Sequence, residues 1–193
     1  MVNSAGSLYR VAVDGGGPLT PIPLGALRDI NNDHVISPDG NTIYVSSEGD
    51  WHVYSAPIRG GELTRLSAKR AGPFGYFVIG ISPYGRTLAI TGASRRGEGE
   101  FVSSLFTMPA DGGPLTALPD DNWDGDSVGC AYSPERAWLY FNFESASTPQ
   151  ARTHLFRMHP DGSDRQQLTD GDSACWFPKP SPTVSLTRLP WPH

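Results

Sequence analysis

The chain has 193 residues, 38% of them hydrophobic, and a net charge of −5 at neutral pH. That composition suits one packed domain over 1–193, and an acidic chain without a basic stripe is excluded as an electrostatic binder of nucleic acid. No run of 18 apolar residues is present, so no membrane span is expected.

The chain opens on Leu8-Tyr9-Arg10-Val11-Ala12-Val13, a turn at Asp14-Gly15-Gly16, and Leu19-Thr20. This reads as the second half of a β unit without its first half. A short phrase then recurs. It stands at Ser37-Pro38-Asp39-Gly40, Ser82-Pro83-Tyr84-Gly85, Ser133-Pro134-Glu135-Arg136 and Ser181-Pro182-Thr183, about 45 to 51 residues apart. After each of the first three marks the order is the same. An apolar alternating strand follows: Thr42-Ile43-Tyr44-Val45, Thr87-Leu88-Ala89-Ile90, Trp138-Leu139-Tyr140-Phe141. A second strand comes next: Val53-Tyr54-Ser55-Ala56, Leu105-Phe106-Thr107-Met108, Leu155-Phe156-Arg157-Met158. A glycine turn at Gly60-Gly61, Gly112-Gly113 or Gly162 leads to a third strand, which begins near Leu63, Leu115 or Gln166. A short segment into the following mark makes the innermost strand: Val35-Ile36, Ile79-Gly80-Ile81, Gly129-Cys130-Ala131-Tyr132.

Four short strands repeated at this period define the blade of a β-propeller. The expected fold is all-β, with four-stranded antiparallel blades at about 1–28 (partial), 29–69, 74–119, 124–170 and 172–193 (partial). Three whole blades thus lie between two partial ones, about half of a six-bladed ring. The last stretch lacks the glycine after Ser181-Pro182, and Pro190 and Pro192 break any late strand. It reads as an altered or truncated end, although pairing of the two half-blades into a four-bladed ring is the alternative. An incomplete ring leaves blade edges exposed, so self-association is expected.

Ser-Pro-Asp-Gly, an aromatic-rich strand, Asp111-Gly112-Gly113 and Leu115-Thr116, in that order, resemble the TolB-type propeller repeat over almost the whole chain. Asn31-Asn32-Asp33-His34-Val35-Ile36-Ser37-Pro38-Asp39-Gly40 and Trp176-Phe177-Pro178-Lys179-Pro180-Ser181-Pro182 look like stand-alone bacterial TolB-like proteins. The resemblance implies a protein- or small-molecule-binding scaffold. It leaves two alternatives: a carbohydrate-active propeller similar to oligogalacturonate lyases, or the detached propeller of a prolyl-oligopeptidase-type serine peptidase. No hydrolase domain is expected beside the propeller repeats, and no catalytic residue is expected. Residues 1–6 have neither the basic start nor the apolar core of a signal peptide. The expected compartment is the cytoplasm, or the periplasm if the chain is a piece of a secreted TolB-like protein.

Loops entering the innermost strands surround one mouth of a propeller's channel. They carry Asn31, Asn32, Asp33 and His34, then Tyr76 and Phe77, then Asp124, Asp126 and Ser127, then Asp172, Trp176 and Phe177. The expected ligand site is Asn32, Asp33, His34, Tyr76, Phe77, Asp126, Asp172, Trp176 and Phe177, engaging a protein partner or a small molecule. The competing role for Asp33 and His34 is to brace the blade by bonding backbone groups. No cofactor and no metal are expected. Of His34, His52, His154, His159 and His193, only His34 falls at the mouth, and the carboxylates Asp33, Asp126 and Asp172 lack calcium-loop spacing. Asp120-Asp121-Asn122-Trp123-Asp124-Gly125-Asp126 and Arg95-Arg96-Gly97-Glu98-Gly99-Glu100 read as solvated loops. Cys130 and Cys175 read as small buried hydrophobes on neighbouring inner strands.

Overall fold

A computed structural model of the chain describes residues 1–70, 72–96, 100–119, 125–145 and 152–181, with backbone alone at 96, 100 and 101. The tail beyond Ser181, most of the acidic loop at 120–124 and the tip of the charged loop at 97–99 lie outside the described residues. Among those described, all regular structure is β. The first sheet contains β1 (Val2–Ser4), β2 (Ser7–Arg10) and β3 (Thr20–Pro21). The second contains β4 (Ile30–Ile36), β5 (Thr42–Ser47), β6 (Val53–Pro57) and β7 (Thr64–Arg65). The third contains β8 (Phe74–Ile81), β9 (Thr87–Arg96), β10 (Glu100–Pro109) and β11 (Thr116–Ala117). The fourth contains β12 (Gly125–Tyr132), β13 (Leu139–Ser145), β14 (Thr153–Met158) and β15 (Gln166–Gln167). Each sheet is an antiparallel meander in chain order, the layout of a propeller blade.

The Ser-Pro marks are the turns between the first and second strands of each four-stranded sheet. The serine hydroxyl accepts the N–H of the residue five places on: Thr42 on Ser37 at 2.9 Å, Thr87 on Ser82 at 3.1 Å, Trp138 on Ser133 at 3.0 Å. The third residue after each serine donates its N–H back to the serine carbonyl. Its φ is 73° at Gly40, 70° at Gly85 and 72° at Arg136. Glycine meets no steric penalty there, whereas a side chain costs about 1–2 kcal/mol. Arg136 bears that penalty while its guanidinium lies 3.4 Å over the Tyr84 ring.

Side chains alternate across each strand, and each middle sheet therefore feeds two cores. Ile43 and Val45 of β5 face back to Leu8, Ile22 and Leu24 of the first unit. Tyr44, between them, faces forward to Tyr76, Val78, Leu88 and Ile90 of the third sheet. Ala89 and Ile79 of that sheet face forward again, to Cys130, Leu139, Phe141 and Phe156 of the fourth. The hydrophobic core is thus three apolar seams between four sheets, and β8 packs between β4 and β12 on the inner side.

Three features differ from the sequence reading. The first unit has an additional strand, β1, joined to β2 through Ala5 and Gly6 at φ 48° and 71°. Three residues are too few to show a period. The innermost strands begin earlier than expected, so residues 31–34, 76–77 and 126–127 are on strands, not in loops. Each inner strand holds its pairing across a register shift, between Ile30 and His34, Val78 and Gly80, and Ser127 and Cys130. Such bulges interrupt the alternation that marks a strand in sequence. Finally, Cys130 is buried on β12, but Cys175 lies on no assigned strand; both thiols are free.

Candidate functional site

The bulge of β4 builds the first part of the site. Asn31, Asn32 and Asp33 fall between the paired residues Ile30 and His34, opposite Ser46 alone. Their backbone leaves the ladder, and side chains take over. The buried Asn31 donates through Nδ2 to Asp33 Oδ2 at 2.9 Å and accepts the Asp33 N–H on Oδ1 at 2.8 Å. Asp33 is thereby locked beside His34.

Asn32, Asp33 and His34 line a cleft of about 220 Å³ with Val78 and Ile79 of β8, Cys130 of β12, and Phe177, Pro178 and Lys179. The residues come from all three inner strands at the level of their bulges, so the cleft opens on the channel side of the sheets. Its floor is apolar and its rim is polar. His34 Nδ1 is buried without a hydrogen-bond partner. Burial lowers the His34 pKa from its ordinary 6.5, assisted by the positive charges of the Met1 amine and Lys179, against the neighbouring carbonyls of Asn31 and Asn32. Burial raises the Asp33 carboxyl above its ordinary 3.8, with Glu48 adding to the shift and the Asn31 hydrogen bond and Lys179 opposing it. Burial likewise pushes the Cys130 thiol up, and Lys179 opposes it. The cleft therefore presents a neutral imidazole with an unused ring nitrogen, a carboxyl reluctant to ionise, and an exposed ammonium. It can bind through hydrogen bonds and apolar contact at once.

The other expected site residues are divided. Phe177 lines this cleft. Tyr76 does not: it is 2% exposed, donates its hydroxyl to the Ala68 carbonyl at 2.7 Å, and belongs to the seam between the second and third sheets. Phe77 packs edge-on against Trp51, with ring centroids 5.8 Å apart. Asp126 accepts the backbone N–H and hydroxyl of Ser103, at 2.6 and 2.9 Å, and so ties β12 to β10. Asp172 is exposed, with an ion pair to Arg152 at 4.0 Å, an arrangement worth little in water. Trp176 is half exposed beside Asp126, in a separate cleft.

Sequence reasoning missed Lys179, one of two lysines in the chain. It also missed a repeated brace. Ser46, Thr91 and Asn142 each stand nine residues after the serine of their mark. Ser46 Oγ accepts the Val78 N–H at 2.7 Å. Thr91 Oγ1 donates to the Val128 carbonyl at 2.8 Å. Asn142 Oδ1 accepts the Phe177 N–H at 3.4 Å. Each reaches from a second strand to the inner segment of the next unit, so Phe177 holds the place that Val78 holds in the third sheet. Gly129 makes room for this: a Cβ there would collide with Asn142 Oδ1 and the Phe177 ring. A polar residue at one fixed offset inside an apolar strand was the available signal.

Sheets stacked through apolar seams, with bulged inner strands around a common cleft, define a β-propeller, here a partial one. The fold of this chain is that of a TolB-like β-propeller. The chain is 32% identical over 186 residues to an uncharacterized protein of Agrobacterium fabrum, which covers 95% of this chain and 58% of that protein. A solved candidate TolB from Agrobacterium tumefaciens is 31% identical with a TM-score of 0.76, over 93% of this chain and 61% of the other. The chain therefore spans about three fifths of the length of these relatives. TolB from Acinetobacter baumannii, 13% identical with a TM-score of 0.62 over 87% of this chain and 39% of its own, is similar in fold. So is an oligogalacturonate lyase from Vibrio parahaemolyticus, 12% identical with a TM-score of 0.57 over 87% and 46%. No protein-family model matches the chain. Among the described residues no helix is long and apolar enough to cross a membrane.

Proposed function

We propose that this TolB-like propeller is a non-catalytic binding scaffold whose channel-side cleft receives a small molecule or a segment of a partner protein. The observation that carries the reading is the buried, unpartnered Nδ1 of His34 in a cleft that also gathers Asp33, Lys179 and an apolar floor. A buried polar atom without a partner costs about 1–3 kcal/mol, a loss that a ligand donor or acceptor recovers on binding. Bracing accounts for Asn31 and its bonds to Asp33, but the Asn31 and Asn32 carbonyls near the His34 ring do not reach hydrogen-bond geometry with its Nδ1.

The test is a fragment screen by protein-observed NMR on the full chain. Hits are expected to shift Ile79, Lys179 and the His34 ring, and to lose binding in His34→Phe and Lys179→Ala. A screen whose hits avoid these residues, or bind both variants as well as the native chain, would overturn the reading.

A further inference from the structure

A second cleft, of about 340 Å³, lies on the other side of the segment that carries Trp176 and Phe177. No residue lines both clefts. Its polar walls are Ser103, Asp126, Asn142 and Glu144, and Trp176 stands at its edge, half exposed. Asp126 and Glu144 are direct cross-strand partners in the β12–β13 register. Like charges so placed repel, and among the described residues neither carboxylate has a cation in an ion pair. Each is fixed through one oxygen: Asp126 Oδ1 by Ser103, Glu144 Oε2 by the Thr153 hydroxyl at 2.8 Å. Neither can swing away to relieve the repulsion without giving up those bonds.

Asn142 supplies an independent observation. The residue is 0% exposed and lines the cleft, yet its Nδ2 has no hydrogen-bond partner. The brace to Phe177 uses only Oδ1. Ser46 and Thr91 fill the same structural position with a single hydroxyl, and Thr91 spends its one donor on the Val128 carbonyl. The asparagine thus adds an amide N–H that the fold does not use. On β13 it lies two residues from Glu144, and so on the same face of the strand.

We propose that this cleft binds an organic cation that also carries a hydrogen-bond acceptor: a guanidinium or ammonium group with a nearby carbonyl, as in a basic amino-acid residue of a short peptide. The cation sits between Asp126 and Glu144, whose repulsion it removes. The indole face of Trp176 covers it through a cation–π contact. The carbonyl accepts from Asn142 Nδ2. The volume lies at the small end of ligand pockets, and suits one such residue. The site is separate from the channel-side cleft, so either proposal can fail alone.

The experiment is isothermal titration of the full chain with N-acetyl-arginine amide at low ionic strength. Saturable binding is expected, weakening as salt is raised. The neutral isostere N-acetyl-citrulline amide is expected to bind at least about tenfold more weakly, as are the Glu144→Gln and Trp176→Ala variants titrated with the arginine probe. In Glu144→Gln the side-chain oxygen can still accept from Thr153, so a native melting temperature is expected. Should that variant melt early, the wild-type Trp176 indole N–H signal decides: it is expected to move with the arginine probe and not with the citrulline one. Equal binding of the two probes, undiminished binding by Glu144→Gln, or no binding at all would overturn the proposal. So would displacement of the probe by a neutral disaccharide or by calcium at equal concentration.

Discussion

The seam between the second and third sheets and the flanks of the Trp176–Phe177 segment are built on the same plan and end differently. In the seam, Ser46 Oγ accepts the Val78 N–H at 2.7 Å, amid Val53, Leu88 and Ile90, each 0% exposed. At the flank, Asn142 reaches Phe177 at only 3.4 Å and keeps an unspent donor, while His34 Nδ1 on the other side is equally unpaired. Among the described residues, no side-chain nitrogen or oxygen of that seam is buried without a partner. The clefts beside Phe177 leave polar groups unsatisfied, and this is why binding is proposed there. Phe177 itself has a φ of 50°, a conformation that a bulky residue adopts only when its surroundings impose it.

The contrast can be broken most severely in the seam. Leu88→Ala, at a fully buried site, is expected to lower stability by about 3 kcal/mol in urea unfolding, because the cavity cannot close between two rigid sheets. A loss below about 1 kcal/mol would mean that the seam is looser than described. Next comes the paired brace. Ser46→Ala strands the buried Val78 N–H and is expected to cost about 1–3 kcal/mol. Asn142→Leu removes an unpaired donor along with a long bond, and its loss should be well under that of Ser46→Ala. Equal losses would erase the distinction between closed seam and open flank.

The pH dependence separates the two members of the channel-side cleft. His34 holds its proton less readily folded than unfolded, so unfolding takes up a proton below pH 6.5. The stability present above that pH is lost as pH falls through the lowered native pKa. In His34→Gln this part of the acid-side decline in melting temperature is expected to vanish. Asp33 has the opposite sign. Its raised native pKa means that folding favours the protonated form, so the contribution is lost as pH rises above 3.8, and Asp33→Asn should melt slightly higher at pH 7. The smallest effect is expected at Arg136→Gly. Relief of the positive φ is worth about 1 kcal/mol, offset by loss of the guanidinium over Tyr84, so the net gain should be a fraction of that. Gly85→Ala, with no such contact to lose, should be clearly destabilising.

Much of the fold was legible because its signals are local. A serine that caps the N–H five residues on, a residue at positive φ three places after it, and strands of period two all act within a dozen residues. They were enough to read three repeats and the TolB-like resemblance. Of the expected site residues, Asn32, Asp33, His34 and Phe177 line one cleft, the first three through the β4 bulge. Tyr76 looked like a rim aromatic but faces the seam, because β8 keeps its alternation up to Val78, and only the register decides which side a residue takes. Asp126 looked like a ligand carboxylate, but it also holds Ser103.

By itself, then, the chain's sequence determined the repeat, the strand order within each unit and the turns that join strands, since these depend on short-range sterics and hydrogen bonds. Tertiary structure alone decided which polar groups are used up and which remain. Val78 satisfies Ser46 and Phe177 half-satisfies Asn142 across 32 and 35 residues of chain, and no local rule reports a partner at that distance. Binding is proposed where that long-range pairing leaves groups over, at His34 Nδ1 and Asn142 Nδ2.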